Sequence, residues 1–158
     1  MSKKNWCGYS KQDLKLIRDF IHEINSEIIV RIGTTKNWYC ILPWYKLYLG
    51  AKKQEQWVEE IRLNWCKKQD FYFEANMNII SLLHEIGHFQ TFNVDEWEDR
   101  NLQEQLLQYL YCEDKIDMVE LNNRYFDLPN EYKATKWAFE YYKANKSKCE
   151  NLAKLIKV

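Results

Sequence analysis

The chain has no excess of charge of either sign, since 23 Lys and Arg balance 23 Asp and Glu over 158 residues. Nucleic-acid-binding surfaces are usually strongly basic, so we expect no nucleic-acid partner. An apolar run of about 18 residues is also missing, because the best candidate, 38–51, is interrupted by Pro43 and Lys46, and no membrane-spanning helix is predicted. Residues 1–9 lack an apolar segment, so no signal peptide is predicted.

Closely spaced cysteine pairs are absent as well. The five cysteines are odd in number and widely scattered, and none of them forms a C-x-x-C pair: Cys7, Cys40, Cys66, Cys112 and Cys149. That pattern predicts neither a disulfide framework nor a cysteine-based zinc site, and it is typical of reduced thiols in an intracellular protein. We therefore expect a soluble, cytoplasmic protein.

A chain of 158 residues is long enough for one domain with a substantial hydrophobic core. Aromatic residues make up 16% of the sequence, and we expect their rings to fill that core rather than to form a sugar- or peptide-binding platform. No repeat, low-complexity segment or linker divides the sequence. One α+β domain over residues 1–158 is predicted, with a core at about 27–143 and a helix packed on it at each end.

Helices are predicted over most of the chain. Ser10 and Asp13 form a capping-box pattern that begins a helix over 10–25. Ser147 is placed to cap a last amphipathic helix over 147–157. Apolar periodicity and proline positions predict the elements between them: helices over 54–67, from about 74 or 76 to 90, over 101–113, 116–125 and 129–144, and an acidic loop over 93–99.

The segment after the first helix is rich in β-branched and aromatic residues. Residues 27–32 and 38–42 are predicted strands separated by a turn at 33–37. Alternation of apolar and polar residues over 45–50 indicates a third strand. We expect a small antiparallel sheet of two to three strands packed against the helices.

Two of the three histidines lie four residues apart in the sequence His84-Glu85-Ile86-Gly87-His88. Residues at that spacing project from one face of a helix, so both imidazoles can bind the same metal ion. Glu85 is about 100° further round the helix and can reach a water in such a site. Two imidazole ligands and a carboxylate base are the requirements of a zinc-dependent hydrolase. We predict His84 and His88 as zinc ligands and Glu85 as the general base.

The alternative is that these are two ordinary histidines on a helix. Gly87 costs about 1 kcal/mol of helix stability relative to alanine, a cost that is tolerated where another backbone must approach closely. The histidines are also not needed for packing, because a separate apolar stripe runs along the same segment: Ile79, Leu82, Leu83, Ile86 and Phe89. Both features favour a functional site.

A hydrolytic zinc site usually has three protein ligands and one position for water. The third histidine, His22, belongs to the N-terminal helix, and Thr91 and Val94 stand where a longer histidine motif would carry its glycine and last histidine. The third ligand is therefore expected to be a carboxylate from a later helix. The candidates are several aspartates and four glutamates: Glu104, Glu113, Glu120 and Glu131.

Glu131 is distinguished by the small residues that follow it, Ala134 and Ala138. Small side chains on one face let this helix pack closely against the motif helix, so that a short carboxylate arm can reach the metal. A glutamate in the first turn of a helix is also favoured by the helix dipole alone. Spacing by itself therefore leaves the choice of ligand open.

Together, Leu82-Leu83-His84-Glu85-Ile86-Gly87-His88 and Glu131-x-x-Ala134-x-x-x-Ala138 resemble the compact metallopeptidases of the ImmA/IrrE type. The resemblance is closest to small versions encoded by phages and mobile elements, and it covers roughly residues 27–143. It implies a zincin-like core and hydrolysis of a peptide bond in a specific protein substrate. It also implies a site made of a Zn²⁺ ion, three ligands and one general base: His84, His88, Glu131 and Glu85.

One position departs from the pattern of this family. Many relatives carry an acidic residue or asparagine four residues after the ligand glutamate, where it orients a motif histidine, whereas this chain has Thr135. A threonine hydroxyl can accept a hydrogen bond from an imidazole but supplies no charge. The departure affects catalysis more than metal binding, so a metal-binding but weakly active or inactive protein-interaction module is the alternative function. A structural protein with a chance motif is a third.

Two further elements of a peptidase site are expected but are not located by spacing. One is a second donor for the developing oxyanion, with Arg124, Tyr125, Tyr141 and Tyr142 as candidates. The other is an open strand edge that pairs with an extended substrate, either 38–42 or 45–50.

Overall fold

A computed structural model describes residues 6–52 and 56–158. In those ranges the chain forms seven α-helices and a three-stranded sheet, which confirms the predicted α+β class. The elements are α1 (Lys11–Ile24), β1 (Ile29–Ile32), β2 (Tyr39–Ile41), a 3₁₀ turn (Leu42–Trp44), β3 (Lys46–Leu49), α2 (Gln56–Cys66), α3 (Met77–Gln90), α4 (Val94–Cys112), α5 (Met118–Phe126), α6 (Pro129–Ala144) and α7 (Lys146–Ile156).

Two sequence predictions fall partly on residues outside the described ranges. Residues 1–5, which belong to the segment without a predicted signal peptide, and Gln54, where the second helix is predicted to begin, lie outside the described residues. Among the helices that are described, none is both long and apolar enough to cross a membrane.

Helix α1 begins at the predicted capping box. The Ser10 hydroxyl accepts a hydrogen bond from the Asp13 N–H at 3.0 Å, and the Asp13 carboxylate accepts one from the Ser10 N–H at 2.9 Å. These two bonds satisfy backbone donors that have no partner inside the helix. The prediction for α7 is wrong in its cap: the helix starts at Lys146, directly after Asn145, without a side-chain cap. Because α6 ends at Ala144, only one residue separates the two helices.

The sheet is mixed rather than antiparallel, so this part of the fold prediction is wrong. Its strand order is β1–β3–β2, with β3 parallel to β1 and antiparallel to β2. Residues 33–37 therefore do not connect paired strands. The 3₁₀ turn and the left-handed Tyr45 (φ 50°) reverse the chain and place β3 between the other two strands. Leu47 and Leu49 are fully buried there, as is expected of a central strand.

One face of the sheet lies toward the motif helix. Val30, Leu47 and Cys40 are aligned across the three strands and share this face. Strand β2 is at the edge of the sheet and contacts α3. The prediction that residues 45–50 form a strand edge open to substrate is wrong, because β3 is central. The other predicted edge, 38–42, contains β2, which does lie at an edge.

Helix α3 is buried along most of its length and packs against α6. A Cβ atom at Gly87 would lie 2.6 Å from the carbonyl oxygen of Ala134, well inside van der Waals contact. Ala134 and Ala138 are themselves fully buried. The close backbone approach that the glycine and the two alanines predict is confirmed, and it brings the first turn of α6 beside the motif histidines.

Helix α4 begins about two turns earlier than predicted, so the acidic loop over 93–99 is wrong. The Asn93 side-chain oxygen accepts a hydrogen bond from the Glu96 N–H at 3.0 Å and caps the helix. Asp95 and Glu96 lie in the first turn, where negative charge is stabilised by the helix dipole. The acidic residues thus begin a helix, and its early start carries Arg100 to the site.

Aromatic rings fill the space between α2, α5 and α6, as predicted. The Trp65 ring contacts Phe126 with centroids 5.4 Å apart, and Phe71 contacts Phe139 at the same separation. Phe126 also lines an open pocket beside α3, together with six further aromatic side chains: Trp38, Tyr39, Trp57, Trp97, Tyr111 and Tyr125. The many aromatic residues therefore form part of the core and part of the walls of a pocket.

Candidate metal centre

Three side chains converge where α3 meets the first turn of α6. Nε2 of His84 lies 3.1 Å from Oε2 of Glu131 and 3.1 Å from Nε2 of His88, and the His88–Glu131 distance is 3.5 Å. All three residues are buried. Bonds of about 2.0–2.2 Å to a tetrahedral metal ion place its ligand atoms about 3.3–3.6 Å apart. The His88–Glu131 separation lies in this range and the other two are slightly shorter, so the triangle is close to the size that a metal ion requires.

The structure brings Glu131, and none of the other candidate glutamates, to the two histidines. Among the described residues, this is the group that joins both motif histidines to a carboxylate within 4.8 Å. Glu113 and Glu120 are exposed, and the Glu104 carboxylate lies 2.9 Å from Nη1 of Arg100. A ring nitrogen of His22 is 3.0 Å from the carbonyl oxygen of Ile28, so this histidine is occupied in a structural contact.

The two oxygens of the Glu131 carboxylate differ, because one accepts several hydrogen bonds and the other accepts none. Oε1 accepts hydrogen bonds from the Arg100 guanidinium at 3.2 Å, the Tyr125 hydroxyl at 2.9 Å and the Asn130 amide at 3.4 Å. Oε2, which faces the histidines, has no hydrogen-bond partner within the described ranges. A buried acceptor without a partner costs about 1–3 kcal/mol, and more if it is charged. A cation between Oε2 and the two imidazoles would satisfy it.

Thr135 fixes the tautomer of His84. Its hydroxyl donates to the Glu131 carbonyl oxygen at 2.9 Å, and its oxygen lies 2.9 Å from Nδ1 of His84. Since the single hydroxyl proton is used on the carbonyl, Nδ1 of His84 carries the hydrogen and donates to Thr135. Nε2 then presents a lone pair toward Glu131, which is the state that a metal ligand needs.

The charges of the cluster are strongly coupled. Burial lowers the pKa of His84 to about 4, so this imidazole is neutral. Burial also lowers the pKa of His88, but the negative charge of Glu131 outweighs it and the net pKa is raised. Burial opposes ionisation of Glu131, yet the positive charge that His88 carries when protonated holds the pKa of Glu131 well below the usual range. The Glu131 carboxylate and a proton on His88 thus stabilise each other.

The affinity of this centre for an added metal ion such as Zn²⁺ is therefore expected to fall as the pH is lowered. The pKa of His88 is raised above 6.5, so below that pKa the metal ion must displace a proton. The apparent affinity should then decrease about tenfold per pH unit and level off at higher pH. Calorimetric titration between about pH 5.5 and 8, in buffers of different ionisation enthalpy, measures the slope and the proton released. An affinity independent of pH, with no proton release, would contradict this assignment.

Glu85 lies beside the cluster, on the pocket wall. It is 9% exposed, and its pKa is raised to about 7, chiefly by burial. The positive charge of His88 opposes this rise and the negative charge of Glu131 adds to it. A carboxyl group with a pKa near neutrality can both accept and donate a proton under physiological conditions. This property matches the predicted role of general base.

Cys40 is a neighbour of Glu85 that sequence reasoning did not identify. Its sulfur, a carboxylate oxygen of Glu85 and a ring nitrogen of His88 lie within 4.8 Å of one another. All five cysteines are free, and burial together with the charge of Glu85 raises the pKa of the Cys40 thiol. Cysteine spacing carries no information about this contact, because it joins a strand to a helix across the pocket.

Arg100 and Tyr125 hold the Glu131 carboxylate in position, and the sequence motifs do not reveal this role. The guanidinium of Arg100 reaches Glu131, Glu104 and the Tyr125 hydroxyl, and it lies 4.8 Å from the centre of the Trp97 ring. Arg100 thus joins α4, α5 and α6 around the buried carboxylate. No spacing in the sequence points to this role, because the segment before Arg100, residues 93–99, is predicted as a loop.

The predicted oxyanion donors are not placed for that role. The Tyr125 hydroxyl donates to Glu131 at 2.9 Å, so its proton is already engaged. Arg124 is exposed and pairs with Glu120 on the surface. Tyr141 stacks on Trp137, and the Tyr142 hydroxyl accepts a hydrogen bond from the Asn76 N–H at 3.4 Å; neither tyrosine lines the pocket.

The pocket beside the cluster has a volume of about 510 Å³, which is within the usual range for ligand sites. Its walls come from β2, α2, α3, α4 and α5 and combine aromatic rings with charged side chains. No protein-family model, curated protein or solved structure matches the chain. The resemblance to ImmA/IrrE-type enzymes therefore stays a prediction, and function must be inferred from the site itself.

Proposed function

We propose that this chain is a zinc-dependent metallopeptidase with a zincin-like core of the ImmA/IrrE type, which hydrolyses a peptide bond in a specific protein substrate. The observation that carries the proposal is the buried triangle of His84, His88 and Glu131 with Glu85 next to it on the wall of an open pocket. Oε2 of Glu131 has no hydrogen-bond donor among the described residues and is directed at the two imidazoles. A bound cation accounts for this arrangement, because buried polar groups in proteins are usually hydrogen-bonded.

The donor set fits zinc. Two imidazole nitrogens and one carboxylate oxygen form the ligand set of several zinc peptidases, and three protein ligands leave a coordination position free. His84, His88 and Glu131 would hold the ion. When bound, zinc lowers the pKa of its water to about 7 and polarises the carbonyl oxygen of a substrate.

The protein side chains divide the remaining tasks. Glu85 accepts a proton from the attacking water and delivers it to the leaving amine nitrogen, a role for which a pKa of about 7 is suited. Thr135 keeps His84 in the ligand tautomer. Arg100 and Tyr125 hold Glu131 in place through its other oxygen. These contacts preorganise the site before substrate binds.

An extended substrate would bind along the edge of the sheet. Strand β2 is an edge strand, and Cys40 at its centre lies close to Glu85. Main-chain hydrogen bonds to β2 would align a peptide in the pocket with its scissile bond near Glu85. The neighbouring residues Trp38 and Tyr39 also line the pocket and would contact substrate side chains.

Metal analysis tests the first half of the proposal. We expect about one zinc ion per native chain by plasma mass spectrometry, and a zinc affinity at least about 100-fold lower for Glu131→Gln, because loss of a direct ligand should exceed the 10–100-fold effect of an outer-shell change. Glu113→Gln is the matched control, since this glutamate is exposed and outside the cluster; its zinc content should be native. A native chain that binds no zinc when zinc is supplied would refute the proposal.

A second candidate, a metal-binding interaction module without activity, is favoured by Thr135 in place of a charged residue and by the lack of a free oxyanion donor among the four candidates. A peptide library digested with zinc-loaded protein distinguishes the two functions. Cleavage that a chelator stops and added zinc restores supports the peptidase. Intact peptides in the presence of one bound zinc per chain would assign the interaction role.

A further inference from the structure

We infer that Arg62 forms a carboxylate-binding subsite beside the catalytic centre, so that the preferred substrate carries a carboxylate one or two residues from the scissile bond. This inference rests on the proposed function and names the substrate class of that site. The carboxylate comes either from an acidic side chain or from a free C-terminus.

The position of Arg62 follows from its contact with the motif helix. Its Nη1 donates a hydrogen bond to the hydroxyl of Ser81 at 2.6 Å, and both residues line the pocket. Ser81 precedes His84 by three residues and Glu85 by four. Residues at these spacings are neighbours on a helix, with Cβ atoms about 5–6 Å apart. The Ser81 side chain that holds the guanidinium is therefore about one helical turn from His84 and Glu85.

Arg62 forms no close ion pair with a described carboxylate. Within 6–52 and 56–158, its one hydrogen bond is to Ser81, and no carboxylate oxygen lies within 4.0 Å of its guanidinium. Glu59 and Glu85 also line the pocket, and at longer range the charge of Arg62 opposes the rise in pKa that burial causes in both. The guanidinium carbon lies 5.8 Å from the centre of the Phe126 ring, which supports the side chain from one side. Arg100, by contrast, already binds Glu131 and Glu104.

The chemistry of this position selects an anion with two acceptor oxygens. A guanidinium presents several N–H donors in a planar fork that matches a carboxylate, and such charge-assisted pairs are the strong hydrogen bonds of proteins. The other arginine of the described pocket wall, Arg100, is already paired with Glu104 and Glu131. A substrate carboxylate is thus favoured at Arg62 rather than at Arg100.

The distance sets the position of that carboxylate in the substrate. One helical turn is about 5.4 Å, and an extended peptide advances about 3.3 Å per residue. A carboxylate bound to Arg62 therefore belongs to a residue one or two positions from the bond at the centre. Because the direction of the substrate along β2 is open, both sides of the scissile bond must be probed.

Matched inhibitors test the subsite by binding rather than by turnover. The probes are mercaptoacetyl dipeptides and peptidyl hydroxamates, which extend from the zinc in opposite directions. Both series carry Glu or Gln at each position, and the mercaptoacetyl dipeptides are also made with a free or an amidated C-terminus. On zinc-loaded native protein, we expect the best carboxylate probe to bind about tenfold or more tightly than its neutral isostere. The Glu/Gln and free/amidated pairs show which source of carboxylate is used.

Substitutions assign the preference to Arg62. In Arg62→Met the preference should disappear while zinc content and affinity for neutral probes stay native, and in Arg62→Lys part of it should remain because the charge is kept. Arg124→Met, on the exposed surface of α5, is the control and should keep the full preference. The subsite would be disproved, and the peptidase proposal left standing, by either of two results. One is equal binding of neutral and anionic probes to native protein, and the other is a full preference for the anionic probe in both Arg62 variants. A zinc-loaded protein that binds none of the probes would overturn the subsite and the peptidase together.

Discussion

Replacing Glu85 by glutamine is expected to lower the rate of peptide hydrolysis by about 10²–10⁴-fold, the usual contribution of a general acid–base group. The amide is nearly isosteric with the carboxylate but cannot accept a proton from the attacking water or deliver one to the leaving amine. Zinc should remain bound at one ion per chain, because Glu85 is not part of the His84/His88/Glu131 triangle. Cleavage rates on the best library peptide and zinc content in the same preparation measure both effects.

The matched control for this substitution is Glu113→Gln, an identical chemical change at an exposed residue. It should leave both cleavage and zinc content at native values. Glu85→Gln protein that cleaves at the native rate would show that another group is the base. Variant protein that loses its zinc would show instead that Glu85 supports the metal site structurally.

Replacing Gly87 by alanine is expected to destabilise the protein by about 1–3 kcal/mol, the usual cost of adding atoms to a well-packed interior. Helix propensity alone predicts the opposite, a gain of about 1 kcal/mol, because alanine is the better helix former. The added Cβ would lie 2.6 Å from the Ala134 carbonyl oxygen and 3.0 Å from its Cα. These are backbone atoms of α6, so the clash can be relieved only by moving one helix away from the other.

Chemical unfolding with urea measures the free-energy change, with Gln90→Ala as a control at the exposed end of the same helix. The control should change stability by less than about 0.5 kcal/mol. The same displacement should weaken zinc binding about 10–100-fold, as expected when groups that orient ligands are lost, because Glu131 and Thr135 would move with α6. A Gly87→Ala protein more stable than native would disprove the close contact of the two helices.

The centre of the candidate site could be predicted from the sequence because it depends on local helix geometry. His84 and His88 lie on one face of α3 for the same reason that the apolar stripe of that helix lies on another, namely the fixed rotation per residue. Gly87, Ala134 and Ala138 marked the contact with α6, since small side chains are required wherever two backbones approach closely. The structure brings Glu131 to the histidines through that contact.

The surroundings of the site were decided by tertiary structure alone. Cys40, Arg62 and Arg100 come from β2, α2 and α4, and no periodic pattern relates their positions to those of the histidines. The strand order depends on which strand buries its side chains best. The polar composition of 93–99 favours a loop, but the Asn93 N-cap begins α4 there. Sequence patterns record interactions between residues a few positions apart, whereas contacts between distant elements depend on how all the packed surfaces fit together. For this protein, the sequence by itself determined that His84, Glu85 and His88 lie together on one helix, because that depends only on local helix geometry. The tertiary structure decided that Glu131 joins them, which residues orient the cluster and which side chains line the pocket in front of it.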